Sequence, residues 1–361
     1  MKEKKSSWWK TLLLIIGVFI GAVIICVVGF FAYLTVTEFN PDDVETVEVT
    51  EGGSGSIEQG EAFKVMSWNM GYGALGDNAD FFMDGGTSVM TADEQRLEEN
   101  LDGIASQIKA EDPDLLLLQE IDLDSKRSYN VDELAFMQGE LGKYSSAFAY
   151  NYKVKYVPYP IPPLGRVESG IATFSKAGID SAERYQLPVP FSWPVRTANL
   201  KRGLLKSHIP VAGSDKELVL INLHLEAYDS GEGKVAQTKM LAEVLKEERD
   251  KGNYVIAGGD FNQIFSSEDG TIYPPNPELW TPGEIDVERF DEGFQFIMDE
   301  TTPTCRSLDR PLKGADPENF QYYLIDGFIV SDNISIEDAE TLDLGFKVSD
   351  HNPVVIDVML Q

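Results

Sequence analysis

Residues 63–361 predict an α/β domain in which helices cover β-sheets, and one membrane-crossing helix precedes it. Three observations predict this. Short apolar runs of strand type alternate with segments whose apolar residues recur at helical spacing. Residues 11–37 contain no charged side chain. Polar residues suited to chemistry stand at the ends of several apolar runs, which is where α/β folds carry their sites. A length of 361 residues, with 43% hydrophobic and 25% charged residues, allows a large buried core and excludes a disordered chain.

The uncharged stretch is 27 residues long. As a helix it reaches about 40 Å, enough to cross a hydrocarbon core of about 30 Å. Lys2, Lys4, Lys5 and Lys10 precede it, and Glu38, Asp42, Asp43 and Glu45 follow. That asymmetry predicts a cytoplasmic tail (1–10), a single-pass anchor in the cell membrane (11–37) and an extracytoplasmic domain. Trp8 and Trp9 stand where interfacial aromatics belong. A cleaved signal peptide is the rival reading, against which stand the length of the run and the lack of an Ala-x-Ala site after it. Residues 38–62, with Gly52-Gly53-Ser54-Gly55-Ser56 and several acids, predict a flexible, extended linker.

Within the domain, residues 63–68 form a short apolar run. Thr91-Ala92-Asp93-Glu94 has a capping-box form, and Leu97, Leu101, Ile104 and Ile108 repeat at helical spacing until Pro113. Residues 115–118 are a four-leucine run of the buried-strand type. A helix is expected over 132–141, and strands near 146–150, 170–174, 204–209 and 218–223. A helix over 236–249 precedes a strand over 254–258, and the last strands are 323–330 and 354–360. Residues 156–164 and 273–282 each hold four prolines and read as surface loops.

Charge and composition narrow the chemistry. The chain nets −30, and the ten N-terminal residues net +3, so residues 38–361 net −33. Such a surface repels phosphate backbones, so nucleic acid is disfavoured as a partner but not excluded. Candidates for a local basic groove are Lys153, Lys155, Arg166, Lys201, Arg202 and Lys206. Two cysteines, Cys26 and Cys305, exclude a disulfide framework and a Cys-rich zinc site. Nothing points to a protein partner.

Asn69, Glu120, His224, Asp260 with Asn262, Asp326, and Asp350 with His351 stand in or beside the apolar runs. Glu120 with a carboxamide such as Asn69 suits Mg²⁺, with Mn²⁺ as a substitute, because a hard ion takes one or two carboxylates plus phosphate oxygens. Asp260 is placed to orient or deprotonate a water, and Asn262 to hold a phosphate oxygen. His224 and His351 are candidate proton donors, with Asp326 or Asp350 fixing a tautomer. Together these residues describe metal-assisted hydrolysis of a phosphoester.

Ser67-Trp68-Asn69, Leu118-Gln119-Glu120, Asn222-Leu223-His224, Gly259-Asp260-Phe261-Asn262, Ile325-Asp326 and Ser349-Asp350-His351 follow one another in the order of the endonuclease/exonuclease/phosphatase superfamily, which the chain resembles over residues 63–360. Residues 168–176 also look like that family's central strand. The resemblance implies a four-layer α/β sandwich of two mixed sheets flanked by helices. It implies Glu120 and Asn69 at the metal with Asp350 close by, Asp260 as the water-activating acid, Asn262 and His224 at the phosphate, and His351 held by Asp326. Asn222 and Arg202 are the substrate-binding candidates, a surface arginine being the alternative for Arg202. The substrate is expected to be a phosphodiester or phosphomonoester, a lipid head group before a nucleic acid. An inactive binding module on the same fold is the reading from another class.

Two features depart from the pattern. Gly71 stands where some members carry an acid, which shifts the expected metal binding toward Glu120. Residues 71–90 form a long Gly- and Asp-rich stretch expected to be a solvated loop, since Asp77, Asp80 and Asp84 lack EF-hand spacing. His208, outside every motif, is expected to be structural.

Overall fold

The computed structural model describes residues 8–229 and 231–361. Lys2, Lys4 and Lys5, which carry most of the cytoplasmic-tail expectation, lie outside that range. The apolar stretch is one helix, α1 (Trp8–Val36), long and apolar enough to cross a membrane.

After α1 come strands β1 (Val44–Val47), β2 (Val49–Thr50) and β3 (Ala62–Asn69), helix α2 (Glu94–Glu111), β4 (Leu115–Asp122), helix α3 (Glu133–Glu140), β5 (Ser145–Val157) and β6 (Gly165–Ser175). Then follow β7 (Ser181–Gln186), β8 (Gly203–Pro210), β9 (Glu217–His224), helix α4 (Glu232–Asp250) and β10 (Tyr254–Asp260). The rest comprises β11 (Gln263–Phe265), β12 (Gly283–Ile285), β13 (Phe294–Ile297), β14 (Cys305–Arg306), β15 (Tyr322–Tyr323), β16 (Asp326–Ser331), β17 (Ile334–Thr341) and β18 (Val354–Leu360).

Two seven-stranded mixed sheets result, ordered β1-β7-β8-β9-β10-β16-β13 and β17-β18-β3-β4-β6-β5-β2. The pairs β9/β10 and β3/β4 are parallel, and the other pairs within the two sheets are antiparallel. The leucine run shows why the sheets stack. Leu115 and Leu117 face the core between the sheets, with Leu220, Ile256, Phe328 and Ile356. Leu116 and Leu118 face the other way, against Leu97, Leu101, Ile104 and Ile108 of α2. A strand covered on both faces needs apolar residues at every position, which the run supplies. On the second sheet, Leu241 and Leu245 of α4 cover Val219, Ile221, Val255 and Ala257. The layers are therefore helix, sheet, sheet, helix.

Several boundaries differ from expectation. The N-cap of α2 is Asp93, whose carboxylate accepts from Arg96 N–H, and not Thr91. The expected strand 323–330 is divided: β15 pairs with β14, and Asp326 opens β16 instead of interrupting a strand. The largest correction is the expected flexible linker. Val44–Val47 pairs with β7 at the edge of one sheet, and Val49–Thr50 pairs with β5 at the edge of the other. Gly52 lies so close to the chain that a Cβ there would come within 2.2 Å of the Tyr144 carbonyl oxygen. Backbone hydrogen bonds to exposed sheet edges hold this segment, and its glycines permit the close approach.

Candidate active site

The strand ends meet on one edge of the sandwich. Asp260 closes β10, where it lies in register with His224 of β9 and Asp326 of β16. Asn69 closes β3 beside Gln119 of β4. His351 precedes β18, and Trp68 Nε1 donates to its carbonyl at 2.9 Å. Asn69 Nδ2 donates to Asp260 Oδ2 at 3.0 Å. His224 Nε2 lies 3.3 Å from that oxygen and 4.0 Å from Glu120 Oε1. His351 Nδ1 bonds Asp326 Oδ2 at 2.8 Å, and its Nε2 points toward Asp260 Oδ2 at 3.8 Å.

Local backbone strain sets these positions. Glu120 and Asn262 have φ of 54° and 52°. A left-handed conformation costs a residue with a Cβ about 1–2 kcal/mol, and such strain concentrates at functional sites. At Glu120 it coincides with a bulge between Leu118 and Ile121 against β6, which re-aims the carboxylate. Gly259, at φ 148°, has no room for a side chain: a Cβ would lie 2.0 Å from the Leu223 carbonyl oxygen. Only glycine lets Asp260 sit tight against His224. Gly71 is explained likewise. A Cβ there would come within 2.8 Å of Asp350 Oδ1, so the glycine makes room for that carboxylate.

Electrostatics separate the two histidines. His224 is held well below the usual imidazole range by burial, then by Arg202, His351 and Arg127. Burial opposes the charge on His351 too, but Asp326, Cys305 and Asp350 outweigh it, and its pKa lies well above the usual value. The two rings are thus pulled in opposite directions, His351 toward its charged form and His224 toward its neutral form. Asp260 is raised by burial and by Asp326. Glu120 is raised by burial, with Asp350 adding to it, and burial raises Asp350 as well. A half-buried carboxylate, Glu120, near a buried one, Asp350, suits a divalent cation. Asn69 Oδ1 accepts from Gly71 N–H at 3.0 Å, which leaves it one lone pair. These oxygens are the hard donor set that Mg²⁺ or Mn²⁺ takes. Asp260, Asp326 and His351 also lie close enough to share an ion.

Asn222 does not reach the cavity that opens on this site, whereas Arg202 lines it, so for Arg202 only the surface alternative is corrected. Asn222 is completely buried between the sheets. It accepts from Gln119 Nε2 at 2.8 Å and donates to the Leu118 and Ala172 carbonyls at 3.1 and 2.9 Å, stitching one sheet to the other. Asn222→Ala is expected to cost about 2 kcal/mol or more, because it strands buried polar partners. Urea unfolding of the chelated protein measures this; an unchanged midpoint with weakened substrate affinity would return Asn222 to the substrate. Arg202 is not a surface residue. It is 3% exposed, lies 3.6 Å from Glu226, and donates to the His224 carbonyl at 3.1 Å. Asn262 spends its Nδ2 on the Leu225 carbonyl at 2.9 Å. His208 lies outside the site, bonded to Glu217 at 2.8 Å.

A cavity of about 610 Å³ opens on Glu120, His224, Asp260, Asn262, Asp350 and His351. Its walls include residues that no motif marked. Much of the 71–90 stretch is packed, not solvated: Tyr72, Ala74, Leu75 and Ala79 join the helix-side core. The guanidinium of Arg127 stacks 3.6 Å from the Tyr72 ring while pairing with buried Asp122 at 2.9 Å. Asp84 reaches the cavity and accepts from the Tyr228 hydroxyl at 2.9 Å. Burial pushes its carboxyl up to about 7. Asp80 is spent on Thr87 and Ser88, and Asp77 on Arg96, so neither waits for Ca²⁺. An acid in a Gly-rich stretch carries no sequence signal for which of these it will do.

A sequence profile of the Endonuclease/Exonuclease/phosphatase family matches residues 66–351, a span containing every residue of this constellation. The chain belongs to that family. Its members are metal-dependent phosphoesterases and nucleases. Among solved structures, an endonuclease/exonuclease/phosphatase from Beutenbergia cavernae is 18% identical with a TM-score of 0.57, over 83% of this chain and 72% of that one. The family protein from Bacteroides vulgatus is 12% identical with a TM-score of 0.52, over 83% and 100%. The human Nocturnin catalytic domain, solved with a bound sulfate anion, is 16% identical with a TM-score of 0.50, over 87% and 97%. At these identities the likeness is one of fold. No curated protein matches the sequence.

Proposed function

We propose that this chain is a membrane-anchored, Mg²⁺-dependent phosphoesterase acting on a lipid head group at the bilayer surface. The observation that carries the catalytic reading is the chain of contacts Asp326–His351, Asn69–Asp260 and His224–Asp260 beside the carboxylates of Glu120 and Asp350 in one cavity. Glu120, Asn69 and Asp350 would hold the metal, which when bound would supply charge neutralisation at the phosphate. Asp260, with its pKa raised toward neutrality, accepts the proton of the attacking water. His351, kept protonated by Asp326, donates to the leaving oxygen. Neutral His224 and the second N–H of Asn262 Nδ2 hold non-bridging oxygens. Every member of the set is present, which disfavours an inactive binding module.

Nucleic acid is disfavoured by where the cations go. Lys155 pairs with Glu168, Arg166 with Asp124, and Lys201 with Glu38. Lys206 pairs with Glu183 and Glu248, and Arg202, 3.6 Å from Glu226, is the one of these cations that lines the cavity. Lys153 lies over the Tyr150 ring at 3.9 Å. Cations spent on internal partners do not make a track for a phosphate backbone. The full chain, assayed at equal Mg²⁺ and moderate salt, is expected to prefer sphingomyelin or phosphatidylcholine to DNA, RNA and inositol phosphates. Cleavage of DNA or RNA exceeding every other ester more than tenfold in kcat/KM, about 1.4 kcal/mol, would overturn the lipid assignment. The Lys-rich flank places the domain outside the cell. Protease added to intact cells should then remove it and leave a membrane stub; full protection would contradict this topology.

A further inference from the structure

The catalytic cavity is not closed by the domain alone. Phe30, Phe31 and Leu34, from the end of α1, line the same cavity as Glu120, Asp260 and His351. Leu34 is the buried residue of a helix otherwise exposed or partly exposed over its described length. The helix end is fixed there by specific contacts. Phe30 packs edge-on to Tyr156 at 6.2 Å, and Phe31 lies 5.8 Å from Trp193. Trp193 Nε1 donates to Thr35 Oγ1 at 3.1 Å. Just past the helix, the buried carboxylate of Glu38 pairs with Lys201 at 2.6 Å and Arg196 at 3.2 Å.

Around this junction the domain exposes apolar side chains that a water-facing surface does not need. Tyr159 is 65% exposed, Ile161 95%, Trp193 54% and Val195 56%. Two of them, Tyr159 and Val195, also line the cavity, with Val157 and Leu164. They form a collar continuous with the apolar surface of α1. The cavity thus has two chemistries: carboxylates and imidazoles where the strand ends meet, and hydrocarbon where α1 and the loops around 156–164 and 191–195 meet it.

We propose that the end of α1 and these two loops form an apolar sleeve that takes one long hydrocarbon chain of the substrate while its phosphoester lies at the catalytic residues. This deepens the phosphoesterase reading above and rests on it: α1 becomes a wall of the substrate site as well as a tether. The commitment to a hydrocarbon chain follows from the lining. A nucleotide or an inositol phosphate would bury hydroxyls and ring nitrogens against Phe31, Leu34 and Val157, which offer no hydrogen bonds, and that costs free energy. A phosphate-bearing amphiphile meets both chemistries at once. The sleeve is continuous with the membrane-crossing helix, so a lipid tail need not pass through bulk water to enter it. A volume near 610 Å³ lies within the range of pockets that enclose ligands of this size.

The test uses the full chain in phospholipid nanodiscs with Mg²⁺ and a series of alkyl p-nitrophenyl phosphate diesters, from butyl to dodecyl. Only the chain varies, so head-group recognition does not enter. In the native protein kcat/KM is expected to rise at least tenfold from butyl to dodecyl. Tyr159→Ser with Val195→Ser changes exposed positions and so does not load the fold; it is expected to remove most of that rise, and Leu34→Asn to do the same from the helix side. A flat dependence in the native protein, or a rise that both variants keep, would overturn the sleeve while leaving the phosphoesterase reading intact. Failure to hydrolyse any member of the series, butyl included, would overturn that reading and the sleeve with it. A dodecyl diester carrying a diazirine at its tail gives a second readout. Crosslinks are expected in α1 near Phe31 and Leu34, and crosslinks confined to the first turns of α1 would contradict the proposal.

Discussion

Asp260→Asn is expected to lower turnover by roughly two to four powers of ten at saturating Mg²⁺, the usual scale for a positioned acid or base. The substitution is nearly isosteric and keeps an acceptor for the Asn262 N–H, which lies 2.8 Å from Oδ1. It loses the proton-accepting oxygen that Asn69 and His224 surround. An amide at that position also puts N–H groups face to face with Asn69 Nδ2 unless the side chain flips. Metal affinity should change little, because Asp260 is not among the proposed ligands. Steady-state kinetics across a Mg²⁺ titration separates the two effects. Near-native turnover would remove Asp260 from its role.

Glu120→Gln should produce the opposite pattern. It removes the main anionic ligand, so the Mg²⁺ concentration for half-maximal activity should rise by at least about tenfold, taking the loss seen for supporting groups at metal sites as a lower bound. The metal-free protein supplies an independent readout. There the Glu120 carboxylate is a half-buried charge near that of Asp350, and its raised pKa means that ionisation opposes folding. As pH rises through the ordinary carboxylate range, the unfolded chain gives up its proton first, and native stability falls. Gln at this position carries no charge, so in chelator the variant should unfold at higher urea than the native protein at pH 7. A lower midpoint would mean that Glu120 serves the fold and not a cation.

The cluster of polar residues proposed to be catalytic was legible in the sequence because strand ends concentrate it. Asn69, Glu120, His224 and Asp260 each stand in or at the end of an apolar strand, so a linear motif marks a place in space. The same logic misled at Asn222. It lies two residues before His224 and so shares its side of the strand, but an inter-sheet position there is sealed by Gln119, Leu118 and Ala172. The segment after α1 was misread because its Gly-Ser run outweighed Val44, Val47 and Val49, whose strand character needs the free edges of β7 and β5 to be realised. The 71–90 stretch was opaque for a related reason. Its order comes from Arg306, whose guanidinium donates to the Gly76 carbonyl at 2.7 Å from 230 residues away in sequence. The fold class followed from periodicity, and the sandwich from the family resemblance that the motif order carries. The wall that α1 contributes to the cavity depends on tertiary packing and left no mark in the chain.

Hydrolysis of butyl p-nitrophenyl phosphate by the full chain, followed through chelation and metal replacement in one sample, tests the central claim most directly. Turnover should vanish in EDTA, return with Mg²⁺ or Mn²⁺, and return with Glu120→Gln only at much higher metal. Undiminished turnover in EDTA, or a Glu120→Gln protein indistinguishable from the native one across the titration, would contradict metal-assisted phosphoester hydrolysis at this site.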